Sequence, residues 1–169
     1  MSDTSGFIIH PRGIEARVSP SEAGKLISRF LQRNSGASML LFLELPSAKE
    51  GYKDLYYLTG LTGATAMEIF GMDEEILTHD GLINWGFMIP SEKTQIGKYG
   101  SDTIWLMSDN DKLENYKTAF IKSGIKEVSS LNPPSVSDTE YKDPEGHTIY
   151  DTVKALISLG MIKTETVKI

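Results

Sequence analysis

The run Met39-Leu40-Leu41-Phe42-Leu43 constrains this chain more than any other segment. Consecutive apolar residues over strand length, without polar alternation, predict a central strand covered on both faces. The element that feeds it is well marked. Ser19-Pro20-Ser21-Glu22 forms a capping box with proline at the first helical position, and Ala23, Leu26, Ile27, Phe30 and Leu31 then recur on one face. This pattern predicts a helix from about Pro20 to Arg33, stopped by Asn34-Ser35-Gly36.

Downstream, Pro46 to Lys53 reads as a polar loop and Asp54 to Leu58 as the next strand. The closely spaced Gly60 and Gly63 suggest a tight turn after it. Thr65 to Phe70 and Ile76 to Thr78, flanking Gly71-Met72-Asp73-Glu74-Glu75, are expected to form a hairpin with a charged tip. Asn84 to Ile89 and Thr103 to Met107 supply two further strands, separated by a loop from Pro90 to Ser101 long enough to bind or close over something.

Asp109 or Asn110 can cap a second helix that buries Leu113, Tyr116, Phe120 and Ile121 and ends at Gly124. A short strand follows from Ile125 to Val128. The Pro-, Ser-, Asp- and Gly-rich stretch from Asn132 to Gly146 is an irregular connector. Thr148-Ile149-Tyr150-Asp151 is another capping box, opening a third helix lined by Val153, Leu156, Ile157 and Leu159 and closed by Gly160. The tail from Met161 to Ile169 suits an edge strand. Together these elements predict a single α/β domain over residues 1–169, with a mixed, largely antiparallel sheet of five or more strands and about three helices packed on it.

Composition narrows the function classes. A chain of 169 residues, 40% hydrophobic, fills the core of one ordinary domain. Its formal net charge of −6 argues against nucleic acid as a direct partner, because such binding needs clustered Lys and Arg. The absence of cysteine removes disulfides, thiol nucleophiles and Cys-ligated metal sites. Met1-Ser2-Asp3-Thr4-Ser5 lacks the basic-then-apolar order of a signal, and no run approaches the ~18 apolar residues of a membrane span, so a soluble, cytoplasmic protein is expected.

Tyr56-Tyr57-Leu58-Thr59-Gly60-Leu61-Thr62-Gly63, followed by Thr78-His79-Asp80-Gly81, resembles the N-terminal, non-catalytic domain of creatinase, prolidase and aminopeptidase P proteins over about Ser21 to Val128. In that family a Tyr-Leu-Thr-Gly-Phe-Thr/Ser-Gly segment precedes Thr-Asp-Gly-Arg-Tyr. Here Leu61 replaces the aromatic residue, His79 stands between Thr78 and Asp80, and Leu82 and Ile83 take the places of Arg-Tyr. The resemblance implies an accessory domain that carries none of the family's metal ligands and contributes to subunit association, so a protein partner, including a second copy of the chain, is expected.

The residues themselves offer little catalysis. His10, His79 and His147 form neither His-Glu-x-x-His nor His-x-His, so no metal site and no cofactor is expected. Gly24-Lys25 lacks the rest of a phosphate loop, Gly60 to Gly63 lacks a dinucleotide fingerprint, and Asp109-Asn110-Asp111 lacks the later ligands of a calcium loop. His79-Asp80 reads as turn chemistry at a strand end. Asp143-Pro144-Glu145-Gly146-His147 gathers two carboxylates near an imidazole, which leaves a small hydrolase using His147 with Asp143 or Glu145 as an enzyme alternative.

The leading expectation is a non-catalytic protein-interaction module without catalytic residues. Asp73, Glu74 and Glu75 are its candidate acidic contact with a basic partner, and Trp85, Tyr99 and Trp105 are its candidate aromatic hot spots beside the Pro90–Ser101 loop. Helix 1 ending in Asn34-Ser35-Gly36, the Ile89-Pro90 segment and the acidic charge also resemble a family of toxin-neutralising immunity proteins, which implies a basic toxin as partner.

Overall fold

The computed structural model describes residues 5–135 and 139–169; part of the Asn132–Gly146 connector and the first four residues lie outside the described residues. The capping box behaves as its spacing dictates. Ser19 Oγ accepts the Glu22 N–H, the Glu22 carboxylate accepts the Ser19 N–H at 2.9 Å, and α1 runs Pro20–Arg33. It leads into β3 (Ser38–Pro46) and β4 (Tyr52–Thr62).

The expected hairpin between Thr65 and Thr78 is instead a pair of helices, α2 (Gly63–Met72) and α3 (Glu74–His79). Ala66, Ile69 and Phe70 pack at helical spacing and Thr62 Oγ1 caps the Thr65 N–H at 3.2 Å, whereas a short apolar run does not by itself declare its period. Gly63 opens this helix rather than closing a turn. A Cβ there would lie 2.0 Å from the Asn34 carbonyl oxygen, so only glycine lets α2 dock on the end of α1.

The expected Pro90–Ser101 loop is largely strand. β5 (Asn84–Ile89) passes through a 3₁₀ turn over Pro90–Glu92 into β6 (Thr94–Tyr99), which pairs with β7 (Thr103–Met107). An N-terminal hairpin that the sequence did not announce, β1 (Gly6–His10) and β2 (Gly13–Arg17), adds to β7. α4 (Asn110–Lys122), β8 (Lys126–Glu127), α5 (Ile149–Ser158) and β9 (Ile162–Lys168) follow, β9 being the anticipated edge strand. Ile121, Ile157 and Leu159 are exposed rather than buried.

Among the described residues, nine strands form one sheet in the order β8-β1-β2-β7-β6-β5-β3-β4-β9, antiparallel except for β1 against β8. All five α-helices pack on the same face. Leu41 and Leu43 of β3, Trp85 and Phe87 of β5, Ile96 of β6 and Leu106 of β7 join the helices' buried residues in one cluster. Their neighbours Leu40, Phe42, Met88, Tyr99 and Trp105 lie outside it. The apolar run Met39–Leu43 is therefore helix-covered on one face only. Phe42 is nonetheless buried, because its ring leans over Gly86 and Gly97: a Cβ at those positions would approach Phe42 Cζ to 2.7 and 3.1 Å.

Candidate interaction surfaces

The structure distributes the six candidate contact residues over three places. Trp85 leaves the surface altogether. It is fully buried, its Nε1–H donates to the Leu77 carbonyl at 2.8 Å, and its ring stacks on Phe70 with centroids 5.6 Å apart. The expectation that it forms a contact hot spot is corrected by its strand position, which points it under the helices. Asp73, Glu74 and Glu75 sit at the junction of α2 and α3, and Tyr99 and Trp105 stand half-buried on the uncovered face of the sheet.

At the α3 corner the three acidic residues line an open groove of about 630 Å³ with Ser19 and Pro20 at the start of α1, Met72, His79 and Asp143. A neighbouring cavity of about 350 Å³ shares Ser19, Pro20 and His79 and reaches Arg17 and Asp102. His79 is held at the end of its helix. Its Nδ1–H donates to the Glu75 carbonyl at 2.8 Å, and its ring stacks on Tyr141 at 4.8 Å, whose hydroxyl donates to the Glu75 carboxylate and is thereby pushed above the ordinary phenol range. Rather than ending a strand, His79 closes α3, and Asp80 is its buried C-cap.

Beneath this corner lie two buried charged side chains, Asp80 and Lys98. Asp80 accepts the Leu82 and Tyr141 N–H groups at 2.8 and 3.0 Å, yet burial outweighs them and raises its carboxyl above the ordinary value. Lys98 Nζ donates to the Asp80 and Gly100 carbonyls, and burial pushes it down to about 8 against the pull of Asp80 and Asp102. Asp102 accepts the Ser135 N–H with both oxygens, at 3.0 and 3.2 Å, and Arg17 Nε–H donates to the Asn132 carbonyl at 2.9 Å. These groups tie the connector to the ends of β2, β5 and β6. Perturbed titration here comes from packing, a familiar alternative to catalysis.

The enzyme alternative rests on His147. Its Nδ1 lies 3.1 Å from Asp143 Oδ2 and 3.7 Å from Glu145 Oε2. The same Asp143 accepts the Glu145 and His147 N–H groups at 2.9 and 2.8 Å, so the carboxylate is spent closing a turn while the imidazole stands 54% exposed. Among the described residues no group of three His, Asp or Glu could hold a metal ion.

The uncovered sheet face is different in kind. Strand register aligns its side chains in rows: Ile8, Glu15, Trp105, Gly97, Gly86, Phe42, Tyr57 and Ile162 in one, Met107, Gln95, Met88 and Leu40 in the next. A third row runs Arg17, Thr103, Tyr99, Asn84, Glu44 and Leu55. The charges on this face pair laterally, Arg17 with Glu15 at 2.9 Å and Lys53 with Glu44 at 2.7 Å. What remains is an apolar stripe crossed at Gly86 and Gly97 by the Phe42 ring. Met88, Ile8 and Tyr57 are half-buried on this face, and no motif in the sequence singles them out as contact residues. The alternation of Asn84-Trp85-Gly86-Phe87-Met88-Ile89 was the available signal, since it separates Trp85 from Met88 by face.

Comparison with protein-family models, with curated proteins and with solved structures finds no match. No described helix is long and apolar enough to cross a membrane.

Proposed function

We propose that the chain is a non-catalytic protein-interaction module that presents the uncovered face of its sheet. One observation carries this: a row of Ile8, Trp105, Phe42, Tyr57 and Ile162 that no helix covers, with its charged neighbours already paired to one another. Contiguous apolar surface of this kind marks interfaces, and half-buried tryptophan and tyrosine supply contact area at low entropic cost. The likeness of Tyr56–Gly63 to the accessory domain of creatinase-like proteins supports the same non-catalytic reading. Binding of a purified partner, identified by retention on the wild-type chain and measured by calorimetry, is expected to weaken at least about thirtyfold in Trp105→Glu. It is expected to be unchanged in Glu114→Lys on the helical side; equal affinity for Trp105→Glu and wild type would refute the assignment.

A second reading takes the α3 corner as the contact, in the manner of an immunity protein neutralising a basic toxin. It is favoured by Asp73, Glu74 and Glu75 lining one groove beside Met72, which is 66% exposed. Loss of a basic partner from the Asp73→Lys/Glu74→Lys/Glu75→Lys variant, with Trp105→Glu unaffected, would select this reading; the reverse pattern would dismiss it.

A further inference from the structure

We infer that the occupant of the open sheet face is a second copy of this chain, packed sheet against sheet about a two-fold axis running along β6. The inference rests on the interaction-module reading and adds the identity of the partner. β6 is the central strand of the nine, so the axis sets β7 over β5, β2 over β3 and β1 over β4 of the second copy. Strand register then decides which side chains meet. Trp105 and Gly86 are both aligned with Gly97, so Trp105 falls on the Gly86–Phe42 corner of the second copy, where the Phe42 ring lies over the glycine and meets the indole as an apolar surface. Met107 and Met88 both align with Gln95, which places Met107 over Met88. Arg17 and Glu44 lie in the third row two strands to either side of β6, so each Arg17 faces a Glu44 across the interface, twice by symmetry. Ile8 meets Tyr57 at the margins. The relative rotation of about −30° between packed sheets opens the corners and leaves the Trp105 contacts closest.

Size and charge agree with this occupant. Nine strands at about 4.8 Å spacing span about 40 Å, and strands of five or six residues run about 17–20 Å, giving a face of about 700 Å². A standard interface takes about 800 Å² from each partner. Two chains of net charge −6 repel one another, and on the middle strands of this face Glu15, Arg17, Glu44 and Lys53 pair off internally, which leaves Glu165 at the β9 edge as its exposed acid.

Sedimentation equilibrium on the full chain tests this. Wild type is expected at twice the chain mass, with dimerisation weakened at least about thirtyfold in Trp105→Glu and in Met107→Glu, the second residue being 43% exposed and free to change without disturbing the fold. Arg17→Glu is expected to weaken the dimer about tenfold and Arg17→Glu/Glu44→Arg to recover it. Neither intramolecular pair is restored by the second substitution, so recovery reports the contact between copies. A monomer at every concentration overturns the inference, as does a dimer indifferent to both Trp105→Glu and Met107→Glu. A monomeric wild type that still binds another purified protein through Trp105 would leave the interaction reading standing and remove only the second copy; loss of both would remove both.

Discussion

The two faces of this sheet are built from the same strands and differ in almost everything else. Lys98 and Tyr99 are adjacent in β6, yet the lysine is fully buried under the helices while the tyrosine stands half-buried on the uncovered side. Trp85 and Trp105 divide in the same way. On the covered face the Lys98 ammonium is tolerated because the Asp80 and Gly100 carbonyls meet its Nζ. On the open face apolar groups persist without a helical cover, and Phe42 gains its burial by lying over Gly86 and Gly97. Burial in this molecule follows strand parity more closely than residue type.

The largest test of that contrast sets the two tryptophans against each other. Trp85→Ala removes a ring wedged between Phe70 and Phe87 and orphans the Leu77 carbonyl, and is expected to cost about 4 kcal/mol of folding stability by urea denaturation. Trp105→Ala removes a ring that stacks on His10 at the surface and is expected to cost under about 1 kcal/mol in the monomer. Comparable losses at both sites would mean that the open face is part of the core and not a surface awaiting a partner.

Lys98 sharpens the comparison through pH. A lysine holds its proton up to its ordinary value of 10.5 when unfolded but only to about 8 when folded. Between these values the unfolded chain carries more protons, so raising the pH favours the folded state. Stability is expected to climb from about pH 8 with a slope of at most about 1.4 kcal/mol per pH unit. The rise should be followed below pH 10, because Tyr99 and Tyr141, raised above 10.0 by burial and by the Glu75 hydrogen bond respectively, pull in the opposite direction beyond it. Lys98→Met is expected to abolish the climb while costing about 1–3 kcal/mol near neutrality, since both carbonyls lose their donor. A wild-type stability flat from pH 8 to 9.5 would show the ammonium to be better solvated than its burial implies.

Legibility in the sequence followed how local each signal was. The capping boxes at Ser19 and Thr148 carry their own donors and acceptors, so α1 and α5 were readable from four residues each. The segment Thr65–Phe70 was not, because its helical period depends on docking against α1 through Gly63. β6 has the sequence of a loop because Lys98 and Gly97 look solvated in one dimension, while the carbonyls that satisfy the lysine arrive from Asp80 and Gly100 only in the fold. The same limit governs the contact residues. Trp85 and Trp105 read as strand residues beside a loop that holds Tyr99, but parity within β5, β6 and β7 decides which of them can be reached. The Asp73–Glu75 cluster kept its exposure in a helical setting, because charged side chains seek water whatever the local backbone does.

The smallest expected effect belongs to the exposed turn at His147, and it separates a structural imidazole from a catalytic one. Hydrogen bonding to the Asp143 carboxylate raises His147 above its ordinary 6.5, with Asp143's charge acting in the same direction. Burial raises Asp143 in turn, but the N–H donors and the imidazole outweigh it and hold the carboxyl below the usual range. Folding therefore favours the protonated ring, and the stabilisation is complete below pH 6.5 and lost as pH rises through the folded value. An NMR titration is expected to place the His147 midpoint above 6.5 in the wild type and to return it toward 6.5 in Asp143→Asn, with little change in global stability because the ring is 54% exposed. A working hydrolase would show something else: turnover lost in His147→Ala with the fold intact, and a kinetic pKa that moves with Asp143→Asn. Absent turnover with an elevated, Asp143-dependent midpoint would assign the imidazole to the turn that precedes α5, on the helical side of a molecule whose uncovered side is left to contact.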